Sequence, residues 1–142
     1  MAVSALVISE AESATVTAAI APLRLDTCNT FEDLVGRVAV AAGKEITIHA
    51  SGDERWGPLT GFVAHSDSRF TVLVRHTDLA IYQSHSVLHE FGHILVGIPL
   101  GLELACDRDF DTPDERAAET IAMTLGKRIN LPSPYGELLA FA

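Results

Sequence analysis

Apolar positions along this 142-residue chain recur with two different periods, and each change of period marks a new element. Phe31, Leu34, Val35, Val38 and Ala42 follow helical spacing. Thr30 is placed to cap that helix, Asp33 to complete a variant capping box, and Gly43 to end it. From Glu45 to Ala50 the pattern becomes strict alternation, as in a half-buried strand, and Ser51-Gly52-Asp53 is turn chemistry. Gly61–Ala64 and Arg69–Val74 flank His65-Ser66-Asp67-Ser68 and predict a hairpin, so the three strands are expected to form a small antiparallel sheet. Helical spacing returns from about Leu79 to Val96, with Asp78 as the expected cap and Pro99 beyond the end. After a loop, Thr112-Pro113-Asp114-Glu115 combines a capping threonine, a first-turn proline and first-turn acids. The helix it starts is predicted to reach Ile129, where Leu131-Pro132-Ser133-Pro134 ends it. Before Pro22, Leu6, Val7, Ala14 and Ala18 permit a helix without demanding one, which leaves residues 1–29 the least defined segment. These elements predict one α+β domain over 1–142, with its core in 30–130 and a small sheet packed against helices.

Composition narrows the class. A hydrophobic content of 48% with 20% charged residues suits a folded core and not a disordered chain. The formal charge of -9 repels a phosphate backbone, so direct nucleic-acid binding is not expected. The first eight residues carry no basic leader, and Ser9-Glu10-Ala11-Glu12 interrupts their apolar run, so export is not indicated. The most apolar stretch, Ile94–Leu102, is too short to span a bilayer and is broken by Gly97 and Pro99. Cys28 and Cys106 form no CxxC pair and are expected to be buried thiols, which fits a soluble protein of the reducing cytoplasm.

The candidate chemistry lies in His89-Glu90-Phe91-Gly92-His93. Two histidines four residues apart project from one helix face, at a separation that lets both imidazoles bind one tetrahedral zinc. Glu90, rotated to the side, is the type and position of residue that accepts a proton from a water attacking a carbonyl. HExxH also arises by chance on surface helices. Here Val87, Leu88, Phe91, Ile94, Leu95 and Val96 make the helix interior-facing, and burying these polar groups without partners would cost several kcal/mol. A third ligand must come from elsewhere. Glu115 is the leading candidate, and Glu119, one turn later on the same face, either orients a ligand imidazole or replaces Glu115 as ligand. Capping alone would explain Glu115 in Thr112-x-x-Glu115, and a solvated face would explain Glu119. Asp107, Asp109, Asp111 and Asp114 are weaker rivals. His85 shares the ligand face one turn earlier and is expected to end a buried stripe, to hydrogen-bond near the site or to contact substrate, outside the ligand set. His49, His65 and His76 fall in or beside strands, and Arg75 and Tyr82 are candidate oxyanion donors.

Ser86-Val87-Leu88-His89-Glu90-Phe91-Gly92-His93-Ile94-Leu95, followed by Glu115-Arg116-Ala117-Ala118-Glu119-Thr120-Ile121-Ala122, resembles the ImmA/IrrE metallo-endopeptidases, gluzincin-like HExxH zinc enzymes. The resemblance covers roughly Phe31 to Ile129 and extends to the order of elements. It implies His89, His93 and Glu115 as zinc ligands and Glu90 as general base. It also implies a peptidase working inside bacteria or phages on a repressor-type protein. Two positions depart from the common pattern: Ala117 stands where an acidic residue is usual, and Glu119 where Asn or Asp is usual. Gly126-Lys127-Arg128-Ile129 replaces the usual Leu-Met-Pro ending. With no room for a helix-turn-helix domain, any regulator is expected to be a partner protein.

Two functions of different class follow. One is a zinc endopeptidase that cuts a specific intracellular regulator. The alternative is a catalytically silent, metal-stabilised module that binds its partner within a regulatory or toxin-antitoxin pair. Histidine and carboxylate ligands also accept manganese, cobalt or iron.

Overall fold

The computed structural model describes residues 8–52, 61–97, 104–106 and 112–131. Among them, helix α1 spans Glu10–Ile20, α2 Phe31–Ala42, α3 Ala80–Val96 and α4 Pro113–Arg128. Strands β1 (Glu45–Ser51), β2 (Gly61–His65), β3 (Arg69–Arg75) and β4 (Leu104–Cys106) form one sheet in the order β1-β3-β2-β4. This is an α+β arrangement. No helix among the described residues is long and apolar enough to cross a membrane.

Local signals set the helix ends where they are strong. The Thr30 hydroxyl accepts the Asp33 N–H at the start of α2, and Gly43 ends it at φ 74°, a left-handed conformation that glycine adopts without a Cβ penalty. Thr112 likewise accepts the Glu115 N–H, with Pro113 in the first turn of α4. The expected Asp78 cap is not used. Leu79 occupies the cap position of α3 without a side-chain bond, because the Asp78 carboxylate pairs with the Arg75 guanidinium at 2.9 Å. An ion pair across a tight turn has displaced the cap.

The sheet is mixed, and the expected all-antiparallel pairing is corrected: β2 and β3 form the antiparallel hairpin, but β1 runs parallel to β3. The hairpin places β3, not β2, against β1, so β1 meets the strand that runs in its own direction. Alternation cannot reveal this, since a strand of period two satisfies either pairing. Strand β4, which pairs with β2, lies within a segment expected to be a loop. The sheet's inner face presents Ile46 and Ile48, then Phe70, Val72 and Val74, then Gly61 and Val63. Helices α2 and α3 cover it, and α4 packs along α3. Phe91 of α3, fully buried, stacks on Phe31 of α2 at 6.3 Å between ring centroids.

The N-terminal segment is better ordered than its pattern suggests. Ser9 and Glu12 form a reciprocal capping box that starts α1. Ala14 and Ala18 point outward, while Val16 is buried and Glu12 reaches Arg116 of α4 at 2.9 Å. Val16, Leu23 and Cys28 belong to the same hydrophobic core as Leu34, Val38 and Phe91, so the core extends N-terminal to residue 30. The guanidinium of Arg37 donates to the Leu23, Arg24 and Thr27 carbonyls and thereby ties the short 3-10 turns Ala21–Leu23 and Leu25–Thr27 to α2.

Candidate metal centre

The site grows out of the seam between α3 and α4. Gly92 makes that seam possible: a Cβ there would stand 2.6 Å from the Ala118 carbonyl oxygen and 2.7 Å from the Ala118 Cα. Those atoms are backbone and cannot yield, so only glycine lets the helices approach this closely. The approach carries Glu115 and Glu119, one turn apart on α4, onto the histidine stripe of α3. The helices run in opposite directions there, so His85 meets Glu119 and His93 meets Glu115, with His89 between the two carboxylates.

Four contacts define the geometry. His89 Nε2 lies 2.9 Å from Glu115 Oε2, and His93 Nε2 lies 3.0 Å from Glu115 Oε1. On the other side, Glu119 Oε1 receives His89 Nδ1 at 2.9 Å and His85 Nε2 at 2.8 Å. His85, His89, His93 and Glu119 are all buried, and Glu119 is completely so, which removes the solvated-face explanation of that residue. Glu115 keeps 16% of its side chain exposed. Its N–H is capped by Thr112 while its carboxylate faces two imidazoles, so capping and ligand geometry coexist in one residue.

Donor chemistry fits a metal ion. One atom each from His89, His93 and Glu115 lie within 4.8 Å of one another. Neighbouring ligand atoms on a tetrahedral zinc, with bonds of about 2.0–2.2 Å, stand roughly 3.3–3.5 Å apart. His93 Nε2 supplies the sharper test: it is buried, and although close to Glu115 it lies off the line a hydrogen bond needs, with no hydrogen-bond partner among the described residues. A buried nitrogen this close to a carboxylate, yet not hydrogen-bonded to it, is disposed as a ligand. Glu119, by contrast, faces the Nδ1 side of His89, the position of an orienting carboxylate and not of a third ligand.

Electrostatics agree with this division. Burial disfavours the charged form of His89, yet its bonds to Glu115 and Glu119 and the fields of Glu119 and Glu90 lift its pKa to about 9. Burial likewise raises Glu115, but the facing imidazoles of His89 and His93 bring it down to about 2. Glu119 is held well below the usual carboxylate range by His85 and His89, against the opposing effect of its burial. A carboxylate only accepts, so both rings on Glu119 present N–H groups, and His89 without a metal carries a second proton on Nε2 toward Glu115. A metal ion would take that proton's place.

Glu90 is buried beside this seam and packs against β2, where a Cβ at Gly61 would come within 2.7 Å of its Oε2. The missing side chain at Gly61 makes room for the carboxylate. The sequence gives no sign of the roles of Gly61 and Gly92, nor of Glu119 as the partner of His85. The hydrogen bond expected of His85 near the site is present, with Glu119 as its partner.

Other candidates lie elsewhere. Arg75 is held by Asp78, and Tyr82, 43% exposed, sits two turns before His89, about 10 Å along the helix. His49 and His76 are exposed, and His65 packs beside Phe70. Asp114 is exposed, whereas Asp107, Asp109 and Asp111 lie outside the described residues. Cys28 is a buried free thiol. Comparison with protein-family models, curated proteins and solved structures finds no match. The resemblance to ImmA/IrrE metallo-endopeptidases therefore rests on the motif residues and the order of elements.

Proposed function

We propose that this chain is a zinc-dependent endopeptidase, with His89, His93 and Glu115 as metal ligands and Glu90 as general base. The observation that carries the reading is the convergence of one atom from each of the three ligands within 4.8 Å, in a buried seam where His93 Nε2 has no hydrogen bond among the described residues. Bound there, zinc would polarise a substrate carbonyl and acidify water. The chain's own residues supply the rest. Glu90 takes one proton from the attacking water and returns it to the leaving amine nitrogen, a transfer worth typically 10²–10⁴-fold in rate. Glu119 accepts the Nδ1–H of His89, which leaves Nε2 as that ring's ligand atom. The resemblance extends the proposal to a regulatory protein as substrate, inside the cell.

Zinc content and peptide cleavage, measured together, test the reading. Wild type and Glu90→Gln should each bind one zinc, and only wild type should generate new termini in a mixed peptide library read by mass spectrometry. Cleavage at the wild-type rate by Glu90→Gln would overturn the role of Glu90. Zinc uptake without any cleavage by wild type would instead assign the chain to the metal-stabilised binding class. Glu115→Ala should lose the metal; retention would refute that ligand.

A further inference from the structure

His85 lies outside the ligand set, yet it is 4% exposed and its Nε2 stands 2.8 Å from Glu119 Oε1, the same oxygen that receives His89 Nδ1 at 2.9 Å. Glu119 has no exposure at all, so no bulk water reaches its carboxylate. Two N–H groups on one oxygen hold that oxygen from two directions: His85 approaches from one turn before His89 on the same stripe of α3. Removing the His85 bond takes away one of the two N–H groups that set where this oxygen sits, and with it part of what orients the ligand imidazole. We propose that His85 is a positioning residue for the metal centre, fixing Glu119 so that Glu119 in turn fixes the ring plane and Nδ1–H tautomer of His89. The inference rests on the metal reading above but names a residue outside the group of three ligands. Orienting partners of this kind are commonly worth 10–100-fold in metal affinity.

The test uses the full chain and zinc alone, titrated against a chromophoric chelator, with thermal unfolding recorded with and without the metal. His85→Leu should weaken zinc binding about tenfold or more and shrink the rise in Tm that zinc produces. His85→Gln, whose amide N–H reaches toward the same oxygen, should recover most of the affinity. A purely structural role for His85 would lower Tm equally with and without zinc and leave affinity unchanged, and that result overturns the proposal. Should His85→Leu fail to fold, the wild-type protein decides: in the zinc-loaded form, two-dimensional NMR should show slowly exchanging protons on His85 Nε2 and His89 Nδ1. Their absence would overturn the proposal. Wild type that takes up no zinc overturns the metal reading, and this one with it; zinc uptake that His85→Leu leaves untouched overturns this one only.

Discussion

Phe91 and Gly92 are neighbours in the chain but face two different interiors. Phe91 enters the layer between the helices and the sheet, where Leu34, Val38, Val63 and Val72 are fully buried around it. Gly92 opens the seam between α3 and α4, where three histidines and a glutamate are buried within two turns. The layer is stabilised by area removed from water, an undirected quantity that depends on volume and shape. The seam depends on direction: each buried donor must meet an acceptor, and unmatched groups cost more than the matched ones contribute. One helix therefore serves a tolerant face and an exacting one.

The largest blow to the layer is Phe91→Ala, expected to cost about 3–5 kcal/mol through lost burial and the cavity left beside Phe31. Urea unfolding would measure it, and any surviving folded protein should still bind zinc. Gly92→Ala, though it adds only one methyl group, is expected to cost about 3 kcal/mol by pushing α4 off α3. Unlike Phe91→Ala, it should abolish zinc binding even where the fold persists, because Glu115 and Glu119 move with α4. Normal zinc affinity in folded Gly92→Ala would break the distinction between the two faces.

Smaller changes sharpen it. Glu119→Gln preserves volume in the seam, and Leu34→Met nearly preserves it in the layer. The first should lower zinc affinity roughly 10–100-fold, while the second should cost under about 1.5 kcal/mol and leave zinc binding alone. Competition titration and urea unfolding of both variants give the comparison directly.

Proton and metal compete for His89, so zinc affinity should rise with pH up to about 9, close to tenfold per unit where one proton is displaced. Affinity independent of pH between 6 and 8 would contradict the geometry at Nε2. Without metal the sign of the stability effect reverses. The His89 pKa is raised from 6.5 to about 9, so its stabilising contribution is complete below about 6.5 and is lost as pH rises through about 9. The Glu115 pKa is lowered from 4.5 to about 2, so its contribution is present above 4.5 and is lost as pH falls through about 2. Thermal unfolding in chelator should therefore show this site stabilising the chain most between about pH 4.5 and 6.5. Phe91, Leu34, Val38, Val63 and Val72 carry no titrating group and should contribute no such window.

Features decided between neighbours in the chain are legible in the sequence. The i, i+4 spacing put His89 and His93 on one face, Thr30 and Thr112 started their helices, and alternation marked β1 and the β2–β3 hairpin. Each depends on contacts within a few residues, so each is visible in a short window. Long-range packing decided the rest. The parallel β1–β3 pairing depends on which hairpin strand reaches β1, and β4 exists through its partner β2. Spacing leaves Glu119 open between orienting carboxylate, ligand and solvated position, and only the approach of α4 that Gly92 admits buries it against His85 and His89. Spacing proposed a metal-binding helix. It also named Glu115 and Glu119, but only the crossing of two helices brought those carboxylates onto the histidines.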